Sequence, residues 1–558
     1  MLESFVSYII ILVICLSTGF ASSNILHLRA KETGAFFSTL IIGIVTITIW
    51  TGFFSIFSKI GLVSNLIIIA LDIAYLIIFR ERIIPTAKNA YCYINNHKWE
   101  MITYAIVAIV IAYFNSRGVF HTDTNLYHAA NIRMYEESSV IKGIANLFNN
   151  YGYNSMYHAF CAFFSEHWVL NKPWHSTSGF LALIFSAYSI HNIKSLNGRK
   201  ARLSDAGCVA ILIYVLNILY YINSPATDFA AMLFSLYLMT EWLRIIETND
   251  DVHEYANLCV LAVYILTLKM SAGPLIITVI YPLYVLFKAK NYKTIGKYFG
   301  ICVIVALPYL IRNYYISGWL LYPFSGIDIF DVKWKVPVDI LEMDTSIISI
   351  NGKCILGLPA DLPIKEWLPI WWNAQEYYGK LLVLSTALAT VMILIHLTYR
   401  AIKDNSVFSL VVILLGNYAA LILWFLEAPF IRYGLAFILF TSCLGVVVYL
   451  YEKRTGFRRL IMGSTAILTI FLMLPFVDHY FGDNLGFASM HKYEPYYISQ
   501  KDYDIVETSI FRVGNIEING GNGSINSYYA YPGTIGPYAD SRLDALGEKF
   551  EDGFYMRK

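Results

Sequence analysis

A short polar stretch carries the clearest chemical signal in the sequence. It begins at Phe120 and places Asp123, Tyr127 and Asn131 four positions apart, so that their side chains share one face of a helix. Asp123 stands at the expected N-cap of that helix, directly after a long apolar segment. We therefore expect the helix to lie along a membrane surface, with an apolar face made of Leu126, Ala129, Ala130, Ile132 and Met134.

Asp123 is the candidate catalytic residue. A carboxylate at the boundary between lipid and water can accept the proton of an attacking hydroxyl group, which is the role of a general base. Two neighbours on the same stretch, Tyr127 and His128, are candidate substrate-binding groups. The simpler interpretation is that Asp123 only caps the helix, Tyr127 is an interfacial aromatic residue and His128 is part of the packing.

Three cations stand at ends of apolar segments and are candidate ligands for a lipid phosphate. They are Lys269, Arg312 and Arg432, and Arg312 is ranked first because a guanidinium binds phosphate in a bidentate way and Asn313 lies beside it. The alternative interpretation is that all three anchor helix ends at the membrane surface. Arg432 also has Glu427 nearby, across a turn, as a simple ion-pair partner.

Two further polar residues complete the predicted substrate-binding set. Asp228 opens a helix, where it is either a second functional carboxylate or a first-turn residue that stabilises the helix dipole. Asn154 lies further along the loop that begins with Asp123. The sequence shows no histidine and cysteine spacing typical of a metal site, so no metal ligand and no cofactor is predicted, and a divalent cation is left open.

Composition identifies the surroundings of these residues. Hydrophobic residues make up 57% and charged residues 14% of the 558 positions, so the chain cannot bury its apolar surface in an aqueous globule. The net charge of +2 and the lack of a basic stripe exclude nucleic acid as a partner. The sequence predicts an all-α polytopic membrane protein.

Apolar segments long enough to cross a bilayer predict about fourteen transmembrane helices. Between two of them, Lys269, Gly273 and Pro274 mark either a short turn or a kink in one helix. The predicted spans are 4–21, 35–57, 62–79, 100–114, 176–193, 206–222, 229–246, 255–268, 271–287, 298–312, 379–399, 408–426, 430–451 and 460–476. No Lys/Arg-rich start precedes the first span, so we expect it to be retained.

The short loops rich in lysine and arginine all fall on one side if residue 1 lies outside, which makes that side cytoplasmic. The long polar segments 115–174 and 313–378, and the tail 477–558, then lie outside. We divide the chain into N-terminal extra helices (1–98), a transmembrane core with both long loops (99–476) and an extracytoplasmic C-terminal segment (477–558), in which turn signals predict a small β-rich cap or draped coil.

Polar motifs occur in a definite order between the apolar segments. They are Asp123-Thr124-Asn125-Leu126-Tyr127-His128, Asn149-Asn150-Tyr151-Gly152-Tyr153-Asn154-Ser155, Asn223-Ser224-Pro225-Ala226-Thr227-Asp228, Thr267-Leu268-Lys269-Met270-Ser271-Ala272-Gly273-Pro274, Ile311-Arg312-Asn313-Tyr314-Tyr315-Ile316-Ser317-Gly318-Trp319 with Leu321-Tyr322-Pro323, Ala428-Pro429-Phe430-Ile431-Arg432-Tyr433, and Asp552-Gly553-Phe554. In this order the motifs resemble those of the bacterial GT-C-like membrane glycosyltransferases encoded with surface-polysaccharide genes.

The resemblance implies a GT-C-like core that starts near residue 100, with Asp123 in the place of the family's catalytic acid. The usual acidic pair is absent, because Thr124 follows Asp123, and this puts a metal between two adjacent carboxylates in doubt. The implied activity is transfer of a sugar or oligosaccharide from a polyprenyl phosphate or diphosphate to a glycan acceptor, at the outer face of the bacterial cytoplasmic membrane. Proteins of polysaccharide assembly are further candidate partners.

Other functions stay open at this point. A polymerase of lipid-linked repeat units would use the same chemistry with a larger donor. A transporter or flippase for a lipid-linked glycan would place charged, broken helices near the middle of the membrane. A structural subunit of a polysaccharide export assembly would not need Asp123 for glycan output.

Overall fold

A computed structural model describes residues 1–26, 28, 35–193, 201–248, 251–403, 407–452, 497–523, 525–536 and 541–557. The described chain is mostly helical. The helices are α1 (Leu2–Ile25), α2 (Ala35–Phe57), α3 (Leu62–Ile78), α4 (Arg80–Asn96), α5 (Lys98–Arg117), α6 (Ala129–Glu137), α7 (Ile144–Leu147), α8 (Met156–Phe163), α9 (His167–Leu170), α10 (Thr177–Ile193), α11 (Leu203–Ile218), α12 (Thr227–Thr248), α13 (Val252–Leu268), α14 (Ile280–Lys288), α15 (Tyr292–Ser317), α16 (Val338–Gly352), α17 (Ile364–Ala374), α18 (Tyr377–Lys403), α19 (Phe408–Glu427) and α20 (Ile431–Glu452).

Ten helical segments of the described chain are long and apolar enough to cross a membrane, which is the pattern of a multi-pass membrane protein. Helices α3 and α13 are apolar but shorter, at 17 residues each. Each predicted span up to 430–451 coincides with helical structure, whereas the span predicted over 460–476 lies outside the described residues. The interruption at Lys269 is a chain reversal between two elements, because α13 ends at Leu268 and a 3₁₀ helix runs from Met270 to Val279.

Small residues let the first two helices approach closely. A Cβ atom added at Gly43 would stand 1.7 Å from the carbonyl oxygen of Cys15, and one added at Gly19 would stand 1.9 Å from the carbonyl oxygen of Thr39. Such small-residue contacts are a common way for helices to associate in membranes, where the hydrophobic effect gives no preference for helix contacts over lipid contacts. Helix α3 joins this pair through Asp72, whose carboxylate accepts hydrogen bonds from the hydroxyls of Ser17 and Thr18.

The polar segments meet at one end of the helical bundle, which we call the cap end. The amino group of Met1 donates to the carbonyl of Ser499 (3.1 Å), and Lys501 N donates to the carbonyl of Ser116 (2.8 Å). Gly143 N donates to the carbonyl of Tyr315 (2.8 Å). The start of the chain, both long loops and the described part of the tail therefore lie together.

The described C-terminal residues form the β-structure predicted from the turn signals. Strands β1 (Thr508–Val513) and β2 (Ile516–Gly521) make an antiparallel hairpin, β3 (Gly533–Thr534) pairs with β2 in parallel, and β4 (Leu543–Ala545) pairs with β5 (Phe554–Met556). This C-terminal cap packs on the first long loop. Phe554 N donates to the carbonyl of Lys142 (2.9 Å), and Tyr151 Oη donates to the carbonyl of Gly533 (2.7 Å).

The helix after Asp123 does not lie along the membrane surface as the sequence pattern predicts. Residues Thr124–His128 form a π-helical turn that continues into α6, and most of α6 is buried. The C-terminal cap covers this region, since the Tyr528 hydroxyl donates to Glu136 on α6. The predicted lipid-facing residues are inside the protein: Ala129, Ala130 and Ile132 are buried, and Leu126 and Met134 pack against a buried cluster.

Candidate functional site

Asp123 lies beside Arg432, in a cluster at the cap end of the bundle. Its Oδ2 atom is 3.2 Å from Nη2 of Arg432 and 3.5 Å from Nδ1 of His121. The Arg432 guanidinium also donates to Nε2 of His121, and the backbone N–H of Asp123 donates to Nδ1 of the same ring (3.2 Å). Asp123 makes no side-chain cap hydrogen bond to the following helical turn. The capping interpretation therefore does not account for its position.

The loop that carries Asp123 is fixed by the motif between α11 and α12. The Asn223 amide donates to the carbonyl of Gly118 (2.6 Å), and Ser224 Oγ accepts from the backbone N–H of His121 (2.7 Å). The His121 ring packs edge-on against Tyr221, with 5.6 Å between ring centroids. Residues 223–224 thus hold the backbone on both sides of Phe120, which orients His121 toward Asp123.

Arg432 is held by a turn between α19 and α20. Trp371 Nε1 donates to the carbonyl of Pro429 (2.9 Å), and Trp424 Nε1 donates to the carbonyl of Phe430 (2.5 Å). Helix α20 begins at Ile431, so Arg432 extends from its first turn, where Nη2 donates to the Tyr433 hydroxyl (3.0 Å). The predicted pairing with Glu427 is wrong, because Arg432 is paired with Asp123.

A second ion pair lies next to the first. Lys269 follows the last residue of α13 and pairs with Asp228, which is in the first turn of α12. The Lys269 ammonium lies over the Tyr433 ring at 4.1 Å from its centroid, and the Arg432 guanidinium lies 4.8 Å from the same centroid. Tyr433 therefore links the two pairs, and the cluster of Asp123, Asp228, Lys269 and Arg432 carries no net charge.

The imidazoles beside this cluster are held neutral. Burial lowers the pKa of His121, and the charge of Arg432 lowers it further. Burial also lowers the pKa of His128, and His121 adds to the effect. Burial raises the pKa of Tyr127, and the negative charge of Asp123 raises it further, so this phenol keeps its proton. The two imidazoles and the phenol therefore add no charge to the cluster near neutral pH.

Arg312 is not part of this cluster, although the sequence pattern ranks it first among the phosphate ligands. Its Nη1 atom donates to Oγ (2.9 Å) and the carbonyl (3.3 Å) of Ser55 on α2, and its Nε atom donates to Oδ1 of Asn154 (3.3 Å). The guanidinium stacks over the Tyr135 ring, 4.1 Å from its centroid. The guanidinium closest to Asp123 is that of Arg432.

The other predicted residues lie near the cluster around Asp123, near Arg312, or between these two regions. Tyr127 and His128 lie between them, since the pKa of each responds to the charge of Arg432, and His128 packs against His158 with 5.1 Å between ring centroids. Asn154 belongs with Arg312. Asn313 donates from Nδ2 to the carbonyl of Leu320 (3.0 Å) and holds the turn after α15.

Sequence reasoning missed three residues that build the cluster: His121, Ser224 and Tyr433. All three lie inside or next to quoted motifs, and His121 is only two positions before Asp123. With 43 tyrosines and 12 histidines in the chain, neither residue type stands out by itself. In the described part of the chain, no group of three or more His, Cys, Asp or Glu side chains is arranged to hold a metal ion.

Comparison with known protein families identifies the chain at the level of its sequence family. Residues 1–439 match the family described as a domain of unknown function, DUF8201, and the chain belongs to that family. The match covers all of the residues of the cluster around Asp123. No curated protein matches the sequence.

Proposed function

We propose that this member of the DUF8201 family is a GT-C-like membrane glycosyltransferase. It transfers a sugar or oligosaccharide from a polyprenyl phosphate or diphosphate to a hydroxyl group of a glycan acceptor, at the outer face of the bacterial cytoplasmic membrane. The product enters a surface polysaccharide such as capsule, O-antigen or exopolysaccharide.

The observation that carries this proposal is the arrangement of Asp123 with Arg432, next to Lys269 and Asp228. The Arg432 side chain is 38% exposed and that of Lys269 is 23% exposed, so both cations are open to an incoming anion. A carboxylate that can take a proton and a pair of cations that can hold a phosphate are the two requirements of glycosyl transfer from a lipid phosphate.

The chemistry follows from these positions. Asp123 accepts the proton of the acceptor hydroxyl as the oxygen attacks the anomeric carbon of the donor sugar. The new glycosidic C–O bond forms while the bond from the anomeric carbon to the phosphate oxygen breaks, and the leaving polyprenyl phosphate or diphosphate takes the electron pair. Arg432 and Lys269 stabilise the negative charge that develops on the phosphate oxygens. The His121 ring accepts a hydrogen bond from the backbone N–H of Asp123 and so fixes the position of the residue that carries the carboxylate.

The placement of the charges favours a transferase over a flippase. A transporter of a lipid-linked glycan is expected to hold charged groups on broken helices near mid-membrane. Here both ion pairs lie where α12, α13 and α20 begin or end, beside the loop that carries Asp123. A polymerase of lipid-linked repeat units has the same requirements and is a form of the same proposal.

Deletion of the gene, followed by mass spectrometry of lipid-linked glycans and gel analysis of the surface polysaccharide, tests the proposal. We expect the deletion strain to accumulate a polyprenyl-linked glycan that lacks one sugar, or unpolymerised repeat units if the enzyme is a polymerase. A plasmid copy with Asp123→Asn should not restore the product. Normal polysaccharide in the deletion strain, or full rescue by Asp123→Asn, would reject the transferase.

A further inference from the structure

Arg312 is a buried cation surrounded by neutral groups. Its relative exposure is 8%, and its hydrogen-bond acceptors are a hydroxyl, a carbonyl and an amide oxygen. Among the described residues, no carboxylate forms an ion pair with it, in contrast to Arg432 and Lys269. Tyr135 provides a neutral ring face and a neutral hydroxyl.

Such a charge is unfavourable when nothing compensates it. Moving a cation out of water is costly, and neutral hydrogen bonds recover only part of the lost hydration. Arg312 nevertheless stands at a position of α15 that an apolar residue could occupy. An anion that enters beside Arg312 would offset the cost.

A cavity opens next to the guanidinium. The enclosed space is about 30 Å³, which is room for an anionic group and not for a whole sugar ring, and the cavity opens to the outside. The polar residues that line it include Asn131, Ser138, Tyr153, Asn154 and His158, and Arg312 is the only charged side chain in the lining. Amides, hydroxyls and aromatic rings beside one cation suit a sugar ring that carries an acidic group.

Buried polar atoms without partners connect this cavity with the cluster around Asp123. His158 is 1% exposed and lines the cavity, and its Nε2 atom has no hydrogen-bond partner among the described residues. His128 is 2% exposed and packs against His158, and both of its ring nitrogens also have no partner in the described chain. Buried nitrogen atoms in proteins almost always have a hydrogen-bond partner. These unpartnered atoms therefore indicate a place for ligand hydroxyls.

We infer that the Arg312 cavity is an anion-binding subsite for the acidic group, carboxylate or phosphate, of one sugar ring of the glycan. That the sugar belongs to a glycan rests on the proposed function, whereas the binding of an acidic sugar at Arg312 does not. The acidic group enters the cavity and pairs with Arg312, and the sugar ring lies at the cavity mouth.

Thermal unfolding of the purified full-length protein in lipid nanodiscs tests this inference. The probes are glucuronate, glucose 6-phosphate, neutral glucose and inorganic phosphate. We expect glucuronate or glucose 6-phosphate, or both, to raise the midpoint of unfolding, and glucose to have no effect. The acidic sugar that shifts the midpoint identifies the anionic group as carboxylate or phosphate.

Two arginine variants locate the bound probe. The shift should vanish in Arg312→Gln and persist in the matched variant Arg512→Gln, which alters an exposed arginine on strand β1, because only the first removes the cation of the cavity. If Arg312→Gln does not fold, Arg312→Lys replaces it and should weaken binding at least about tenfold, since lysine keeps the charge but loses the planar fork. No shift with either acidic sugar, or a shift that survives in the Arg312 variant, overturns the inference. An equal shift with inorganic phosphate that is also lost in Arg312→Gln overturns the sugar as the ligand.

The outcome is separable from the proposed function. Asp123→Asn should still bind the acidic sugar while it fails to restore the polysaccharide. If the sugar binds through Arg312 but Asp123→Asn restores the product, the transferase fails and the subsite stands. If Asp123→Asn abolishes the product and no acidic sugar binds, the subsite fails and the transferase stands.

Discussion

Two arginines at the cap end of the bundle have opposite surroundings. Arg432 is 3.2 Å from a carboxylate and its side chain is 38% exposed, whereas Arg312 is 8% exposed and contacts neutral acceptors. A cation paired near water can exchange its partner for a passing phosphate at little cost, because solvent screens the change. A buried cation without an anion is balanced only when a ligand brings the opposite charge. This difference is why we propose a reaction site at Arg432 and a recognition site at Arg312.

The largest expected effect is that of Asp123→Asn. The change keeps the size of the side chain and removes its ability to accept a proton, so the transfer rate should fall by about 100- to 10,000-fold. The rate of glycan synthesis in membranes from the complemented deletion strain measures it. Loss of less than about tenfold would show that Asp123 is not the base.

Asp504→Asn is the matched control for that variant. Asp504 accepts a hydrogen bond from Asn125, two residues after Asp123, but it is outside the cluster. We expect this exposed carboxylate to be dispensable for transfer. A similar loss in both variants would mean that the loop, and not the carboxylate of Asp123, is responsible.

Replacement of Arg432 by alanine should have the next largest effect. Hydrogen bonds to charged groups contribute about 1.5–3 kcal/mol, so loss of the guanidinium should slow transfer by about 10- to 100-fold. The same membrane assay measures it. An Arg312→Ala variant with the larger loss would reverse the roles assigned to the two arginines.

Glu136→Gln tests how the C-terminal cap is held over α6, the helix whose Tyr135 lies under Arg312. Burial raises the pKa of Glu136 from 4.5 to about 7, so the folded protein binds this proton more tightly than the unfolded chain. The free energy of unfolding therefore falls as pH rises from about 4.5 to about 7, by on the order of 3 kcal/mol. Unfolding midpoints across this pH range should decrease in the wild type.

The glutamine variant should lack this contribution, because it has no proton to release. The remaining slope belongs to other groups and is the reference for the comparison. An identical pH dependence in wild type and Glu136→Gln would show that Glu136 does not titrate between the two values.

The smallest effect is expected from Arg312→Met in the absence of ligand. Methionine fills similar space without a charge, so the unfolding midpoint should be unchanged or higher, unlike the usual result of altering a buried residue. Thermal unfolding in nanodiscs measures it. A large drop in the midpoint would show that the neutral partners of Arg312 already compensate its charge.

Much of the helical framework could be predicted from the sequence. Apolar runs as long as Ala35–Phe57 have few alternatives to a membrane helix, and the predicted and observed bounds of α2 agree. The prediction was wrong about α6, whose alternating polar and apolar residues fit a surface helix. Its pattern does not reveal that Tyr528, nearly 400 positions later, packs over it.

The site was only partly predictable for the same reason. Asp123 and the cations were found from residue type and position at segment ends, and the structure brings Lys269 and Arg432 to the region of Asp123. The separation of Arg312 from Arg432 depends on how α15 packs against α2 through Ser55, which no local spacing records. His121 was not predicted because its role depends on a turn held by Ser224, more than 100 positions away.

The contact between the C-terminal cap and the first long loop has a consequence for biogenesis. Asn526 N donates to the carbonyl of Asn125, and Phe554 N donates to that of Lys142. Each of these cap residues is therefore synthesised about 400 residues after the loop residue that it contacts. These carbonyl groups of the first long loop therefore stay without their cap partners while every intervening helix is inserted into the membrane. Shortened chains that lack the cap should therefore leave the Asp123 loop without these partners, and we expect them to be less stable than the full chain.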